Sequence, residues 1–497
     1  MKKWISLMMA SLCFLLLTAC VTTDNPKPAG KRPTEDFIIT DYLKDNVVLE
    51  EKDTCVISGT SQDGVIIKFE LLNKSGKSVL KKQATTDSTT LKWSISFTAP
   101  KGSYDSYKIK LSDSYNTYTH TFVNVRFGHV YLLMGDSIND ETIIDQTNLA
   151  EDDFSDLSFF YVDEKNPHFL DLPSEIDLLD KFTLDFGTSI KKADNMPIGI
   201  VVLPFYKTKL YEWLPLEKVN TISPIKSYLE SKHEYVENPT KLGDMSYLDM
   251  VLKAHLENLS ITSMVLNLGM NDLDDLNEVK SSNVYFQMFY TLINSLNDNF
   301  GDFDLMLLQA PSKEEMNVEK LRHIQSSIAN YYSYVKIVPT YDLKVSENGS
   351  LDELKLVTRL KDLIKKNKYV SSYSNIILEV DEELEVVTSI KIEFSNTDKL
   401  LVELLSEETV INYFHVFYNA EEEVKELNIT PKIEKNYIII DLTYEEEEIN
   451  NGETVTIKKV YDKSKINIVF AWLNDLSDVN LFNDDGIPVL PFNIKID

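Results

Sequence analysis

The sequence predicts an α/β domain built on a parallel sheet and flanked by N-terminal and C-terminal antiparallel β-domains. Three observations carry this reading. Between Val130 and Ile364 short apolar runs alternate with helical patterns, as expected for buried strands covered by helices on both faces. Before Val125 and after Tyr369 the runs are short, β-prone and separated by turn residues, a pattern suited to antiparallel sandwiches. At 497 residues the chain is too long for one core, so several domains are expected.

The N-terminal segment is built for export. Lys2 and Lys3 precede an apolar stretch, Trp4–Leu17, too short to span a bilayer comfortably and placed as a secretory signal. It ends in Leu17-Thr18-Ala19-Cys20, which resembles a bacterial lipoprotein cleavage box. That resemblance implies a signal peptide over 1–19, lipidation of Cys20, and a tether over 20–35 on the extracytoplasmic face of a membrane. An uncleaved signal anchor is the alternative. Cys13 lies in the signal and Cys20 would carry lipid, so Cys55 is left without an intrachain disulfide partner.

Net charge is −29, and about −31 without the signal and its two lysines. Nucleic acid and anionic lipid both want cationic faces, so neither is an expected partner. The acidic runs Glu445–Glu448 and Glu421–Glu423 read as solvated loops and strand edges, with calcium binding as the alternative.

Residues 36–125 form the N-terminal β-sandwich, with strands expected at Val47–Leu49, Thr54–Ile57, Val65–Leu71, Leu91–Phe97 and Tyr107–Leu111. Residues 126–369 form the α/β domain. Its strands fall at Val130–Met134, Gly199–Leu203, Ser263–Leu268, Leu305–Gln309 and Val335–Val338. Its helices fall at Ser246–Asn258, Val284–Leu296, Val318–Tyr331 and Leu351–Ile364. Residues 370–497 form the C-terminal β-domain, with strands at Asn375–Val380, Lys391–Phe394, Val410–Phe417, Tyr437–Leu442 and Ile466–Ala471.

Two motifs carry chemistry. In Val130–Asp140 an apolar run stops at Gly135 and a turn then presents Asp136, Ser137 and Asn139. A buried parallel strand ending in a Gly-led turn lifts a serine hydroxyl to the carboxyl edge of a sheet, where a nucleophile is useful. The bland alternative is a serine that caps the next turn. Gly269-Met270-Asn271-Asp272 follows another strand. An asparagine there can donate its side-chain N–H to a developing oxyanion, an interaction worth about 3–4 kcal/mol in other hydrolases; simple helix capping is the alternative.

Further segments give a family resemblance. They are Asn46–Leu49, Pro197–Ile200 running on to Glu212-Trp213, Tyr285–Leu296 leading to Gln309-Ala310-Pro311, and Leu321–Gln325 followed by Tyr341-Asp342. The C-terminal block is Phe470-Ala471-Trp472, Asn480–Pro488 and Pro491-Phe492. With Val130–Ser137 they resemble, in order, the bacterial sialate O-acetylesterase family. The resemblance implies an SGNH-type hydrolase core and removal of acetyl esters from sugars, with no metal or cofactor. It implies Ser137 as nucleophile and oxyanion donors from Asn271, Gly269 and the Tyr206 N–H. Tyr206-Lys207-Thr208 replaces the family's Gly-Gly-Thr with bulky residues.

One part is missing. A serine needs a group to take its proton, usually histidine, and no Asp-x-x-His follows Asp342. Its place is taken by Ser350–Glu353, a capping box opening a helix whose apolar stripe is Leu351, Leu354, Val357, Leu360 and Ile364. His129 begins the strand that ends near Ser137 and lies about 25 Å from it. His168 and His233, in irregular segments, are the remaining candidates. Three functions follow: a catalytically impaired, lipid-anchored surface protein that binds acetylated glycan; an active carbohydrate acetylesterase with an unrecognised base; or a structural or adhesive surface lipoprotein. Trp213 and Phe205-Tyr206 are candidates to stack on sugar rings, with core packing as their alternative.

Overall fold

The computed structural model describes residues 30–136, 154, 156–162, 167–172, 174–203, 205, 207–240, 244, 246–277, 279–314, 316–343, 351–366, 369–381, 386–403, 410–419, 423–450 and 453–496. The signal, Cys20, Ser137, Tyr206, Ser350 and Glu421-Glu422 lie outside these residues. The chain forms two compact units.

The smaller unit takes residues up to Ile39, Ser58–Ile95 and Lys108–Thr121. Its strand Ile66–Leu72 alternates half-buried and buried side chains, the period-two pattern of a one-faced sheet. It pairs antiparallel with Ser78–Thr85 and with Ser103–Asp113. Trp93 is buried edge-on to Phe37, and its indole N–H donates to the Thr60 carbonyl.

The larger unit holds the α/β layer. Its strands are β1 (Val48–Glu50), β2 (Thr119–Gly135), β3 (Leu157–Tyr161), β4 (His168–Phe169), β5 (Ile198–Leu203), β6 (Ser263–Asn267), β7 (Asp304–Leu308) and β8 (Val335–Val338). The sheet order is β4-β3-β5-β2-β6-β7-β8. All neighbours are parallel except β4, which runs antiparallel to β3. β5 is apolar and buried throughout, and β7 and β8 are buried apart from half-buried Asp304, with Lys336 the charged member of β8, as a sheet covered on both faces requires. β1, expected in an antiparallel sandwich, instead pairs in parallel with β2 at Arg126–Gly128.

Four helices matter for the site: α1 (Lys181–Asp194), α2 (Val279–Phe300), α3 (Val318–Tyr331) and α4 (Glu353–Lys365). The expected helix Ser246–Asn258 is a π turn, Leu248–Leu252, followed by a short α turn, Lys253–His255. Helix α4 opens at Asp352, whose carboxylate accepts the Lys355 N–H at 3.1 Å, so the cap falls two residues after Ser350. Its buried stripe is Leu356, Val357, Leu360 and Leu363. Leu354, expected in that stripe, is 71% exposed.

Beyond α4 the larger unit continues in antiparallel sheets. Tyr373–Asp381, Val386–Phe394, Tyr437–Asp441 and Lys432–Glu434 form one; Val424–Leu427, Phe414–Asn419, Ile466–Phe470 and Phe492–Lys495 form another. Their core includes Ile390, Ile392, Ile438, Ile468 and Phe470. The acidic run Glu445–Glu448 lies in a hairpin strand, Thr443–Asn450, with Glu445 opposite Lys458. Among the described residues no helix is long and apolar enough to cross a membrane.

Candidate functional site

The chain leaves β2 toward β3 and β5 on one side and reaches β6 on the other. The carboxyl end of β2, between β5 and β6, is therefore the topological switch point, where open parallel sheets place their ligands. Gly135 ends β2 at φ +107, and a Cβ there would meet the Asn267 carbonyl oxygen at 2.1 Å. Only glycine fits. A Gly135→Ala variant is expected to lose about 2–3 kcal/mol of stability through strain and forced backbone shift; an unchanged urea midpoint would contradict this.

The next residue organises the edge. Asp136 N–H donates to the Asn267 carbonyl at 2.7 Å, and Asn267 Nδ2 donates to the Asp136 carbonyl at 3.0 Å. The Asp136 carboxylate gathers two donors from different loops. Its Oδ1 accepts the Lys207 backbone N–H at 2.6 Å, and its Oδ2 accepts Asn271 Nδ2 at 2.7 Å. Asn271 Nδ2 also donates to the Thr208 carbonyl at 3.3 Å. The loops after β2, β5 and β6 thus meet on one carboxylate. Asn271, the expected oxyanion donor, is brought to Asp136, and Ser137 follows it in the chain. Gly269 supplies the turn after β6, at φ +114, where a Cβ would meet the Leu321 side chain at 2.8 Å.

A buried layer supports these loops. Thr208 accepts the indole N–H of Trp213 at 2.9 Å, and Trp213 stacks on Tyr247. Trp213 and Phe205 are both buried, so the core alternative describes them and neither offers a face to a sugar. Asp272 is wholly buried, accepting the Leu210 N–H and the Tyr285 hydroxyl at 3.0 Å each. Burial pushes its carboxyl up to about 7, against the pull of those hydrogen bonds.

Among the described residues just after β8, the carboxylate is already committed. Asp342 is buried and paired with Arg359 at 2.8 and 2.7 Å and with Lys355 at 2.9 Å. Burial alone would raise its pKa, but hydrogen bonds and charge from Arg359 and Lys355 outweigh that and hold it below the ordinary carboxylate value. Such a carboxylate is a poor proton acceptor.

The seven histidines all fall on described residues. His129, at the amino end of the β2–β5 pairing, meets Asp194 at 2.6 Å. His255 meets Asp41, His415 meets Glu426 and His120 meets Asp36. His323 packs on the Trp472 ring, and His233 is exposed at a helix end. His168 faces Glu175 at 3.5 Å on β4. Three strand spacings, roughly 14 Å, separate it from β2. Among the described residues no histidine sits on the loops of Asp136, Lys207 or Asn271.

Sequence reasoning passed over Asp136 as a participant, along with the Lys207 N–H and the buried Asp272. The signal was present in Gly-Asp-Ser itself: an acid in a strand-end turn needs donors, and the loops beside it supply them.

The fold is similar to that of a carbohydrate acetylesterase from Xanthomonas citri. The likeness covers 92% of this chain and 99% of that one, with a TM-score of 0.66 and 14% identity. A family two carbohydrate esterase from Clostridium thermocellum, solved with cellohexaose, matches at a TM-score of 0.28 and 11% identity over 63% of this chain and 94% of its own. A protein from Arabidopsis thaliana matches at 0.32 and 12% over 48% of this chain and 98% of its own. The last two scores are too low to bear on the argument. No protein-family model matches the sequence, and no curated protein matches it. The chain therefore shares a fold with a carbohydrate acetylesterase: a mixed sheet layered with helices and joined to antiparallel sheets.

Proposed function

We propose that this protein has an SGNH-type site that binds O-acetylated carbohydrate, of the sialic acid class, and hydrolyses it far more slowly than a complete Ser–His pair would. The observation that carries the proposal is Asp136: its carboxylate holds both the Lys207 N–H and Asn271 Nδ2, while no described histidine sits on those loops. The shared fold with a carbohydrate acetylesterase supports an acetylated carbohydrate as ligand; the sialic acid class rests on the sequence resemblance alone. We further propose that Cys20 carries the lipid that holds the protein on an extracytoplasmic membrane face.

In hydrolysis Ser137 Oγ would attack the acetyl carbonyl carbon, its proton passing through water to the sugar oxygen, which leaves as the alcohol; water would then attack the acetyl-serine, releasing acetate and restoring Ser137. The developing oxyanion needs donors, and Asn271 Nδ2 and the Lys207 N–H are the pair at hand. Both must first release Asp136, which competes as a resident anion. Without an imidazole to take the proton, the rate penalty reaches about 10⁶-fold in other serine hydrolases.

The test is acetate release from O-acetylated sialosides and from 4-nitrophenyl acetate by the protein and its Ser137→Ala variant. Rates within about tenfold of each other are expected. Ser137-dependent turnover in the ordinary enzyme range of roughly 1–10³ s⁻¹ would replace this reading with an active esterase. That second reading is favoured by Asn271, which stands within hydrogen-bond reach of the residue before Ser137.

A further inference from the structure

At the amino end of β7 and β8 a row of aromatic rings runs from the core to the surface. Phe300 and Phe303 are buried. Phe303 meets Tyr334 at 6.2 Å between ring centres, Tyr334 meets Tyr332 at 5.3 Å, and Tyr332 meets Tyr290 at 5.8 Å and Tyr331 at 5.0 Å. Tyr331 stands nearly perpendicular to Tyr290, 5.4 Å away. The outer two are open, Tyr331 by 61% and Tyr290 by 37%. The Tyr334 carbonyl accepts the first amide of the strand pair, Leu305 N–H, which fixes this cluster at the edge of the sheet opposite Asp136. The length of the strands separates the two by about 15 Å.

We propose that this tyrosine cluster is a second, non-catalytic carbohydrate-binding platform for a neutral glycan chain. Each exposed ring is held by contacts with other rings, so little motion is lost when a ligand stacks on it. A tyrosine offers an apolar face and a polar rim, which matches a pyranose with its apolar C–H face and hydroxyl edge. Rim partners for hydroxyls come from α2, where Asn294 and Asp298 continue the row of Tyr290 at four-residue steps. Asn294 hydrogen-bonds Tyr332, and Asp298 is an exposed neighbour of Tyr334. A polyanion is disfavoured by a net charge of −29, and Asp298 is paired with Lys218 at 3.8 Å. A self-association interface accepts tyrosine but is depleted in aspartate, and the open members here are Tyr290, Tyr331 and Asp298, with half-buried Asn294 beside them. The choice of a sugar rests in part on the carbohydrate reading above, but the platform needs no catalysis.

The experiment is calorimetric titration of the full protein with three neutral hexasaccharides: cellohexaose, xylohexaose and chitohexaose. Binding of at least one is expected, weakened at least tenfold in the Tyr290→Ala/Tyr331→Ala double variant and unchanged in Ser137→Ala. Tyr331→Phe, which keeps the ring, should retain most of the affinity, and matching melting curves would confirm intact variants. Absence of binding to all three at millimolar concentration, or binding untouched by the double variant, overturns the platform. A dimer that the double variant converts to monomer would also overturn it, in favour of a second copy as occupant. Acetate release bears only on the other site, so failure of one reading leaves the other standing.

Discussion

Replacing Arg359 by alanine is expected to cost about 3–5 kcal/mol of stability, because it strands a buried carboxylate. Arg359 and Asp342 are almost fully shielded, and the guanidinium makes two hydrogen bonds to the carboxylate and another to the Pro339 carbonyl. Lys355 stays as a partner at 2.9 Å but is half exposed, so it compensates only in part. The double variant Arg359→Met/Asp342→Asn removes the charge that would be stranded and should recover much of the loss. Urea unfolding of parent, single and double variants measures this. A single-variant cost below about 1 kcal/mol would show that the pair is not what pins this loop. The Asp342 carboxylate is thus committed to holding α4 rather than to moving a proton.

The fold was legible where burial was uniform. β5 is apolar without interruption, β7 is apolar after Asp304, β8 is apolar but for Lys336, and helix α3 runs over the residues its spacing predicts, Val318–Tyr331. Helix α1 was not legible. Its stripe, Phe182, Phe186 and Ile190, is broken by Gly187, and its start depends on Asp180 accepting the Thr183 N–H. Gly187 is there because a Cβ would meet Ile200 at 2.6 Å, a tertiary constraint invisible to local propensity. In α4 the stripe shifted because Arg359 and Glu353 are buried by ion pairs with Asp342 and Lys181, while Leu354 faces out. Hydrophobic spacing cannot anticipate a charge buried by its partner. At the candidate site, the strand-end position of Asp136 and Asn271 followed from sequence; their meeting on one carboxylate did not, since it joins residues 135 positions apart.

Stability is expected to fall as pH rises from 5 to 8, and Asp272→Asn is expected to flatten that fall. Below pH 3.8 the aspartic acid is protonated in both folded and unfolded chains. Between 3.8 and about 7 the unfolded chain has released the proton while the folded one retains it, so unfolding releases a proton and each step up in pH favours the unfolded state. Above about 7 both are ionised and the full difference, about 4 kcal/mol, has been lost. Roughly 2–3 kcal/mol of it falls between pH 5 and 8. Tyr285, the Leu210 N–H, Lys209 and Asp275 face this carboxyl; the last opposes ionisation and the others favour it, yet burial dominates. Asp342 and Asp194 shift downward, so their contributions change at more acidic pH, outside this window. Glu50 and Glu212 shift upward, chiefly by burial, and add to the parent slope, which is why the difference between parent and variant is the quantity to read. Asparagine can still accept the Leu210 N–H and can donate to Tyr285, so the loop that carries Lys207 and Thr208 keeps its anchor. Melting temperatures at pH 5 and 8 that shift in parallel for parent and variant would place the titrating group elsewhere.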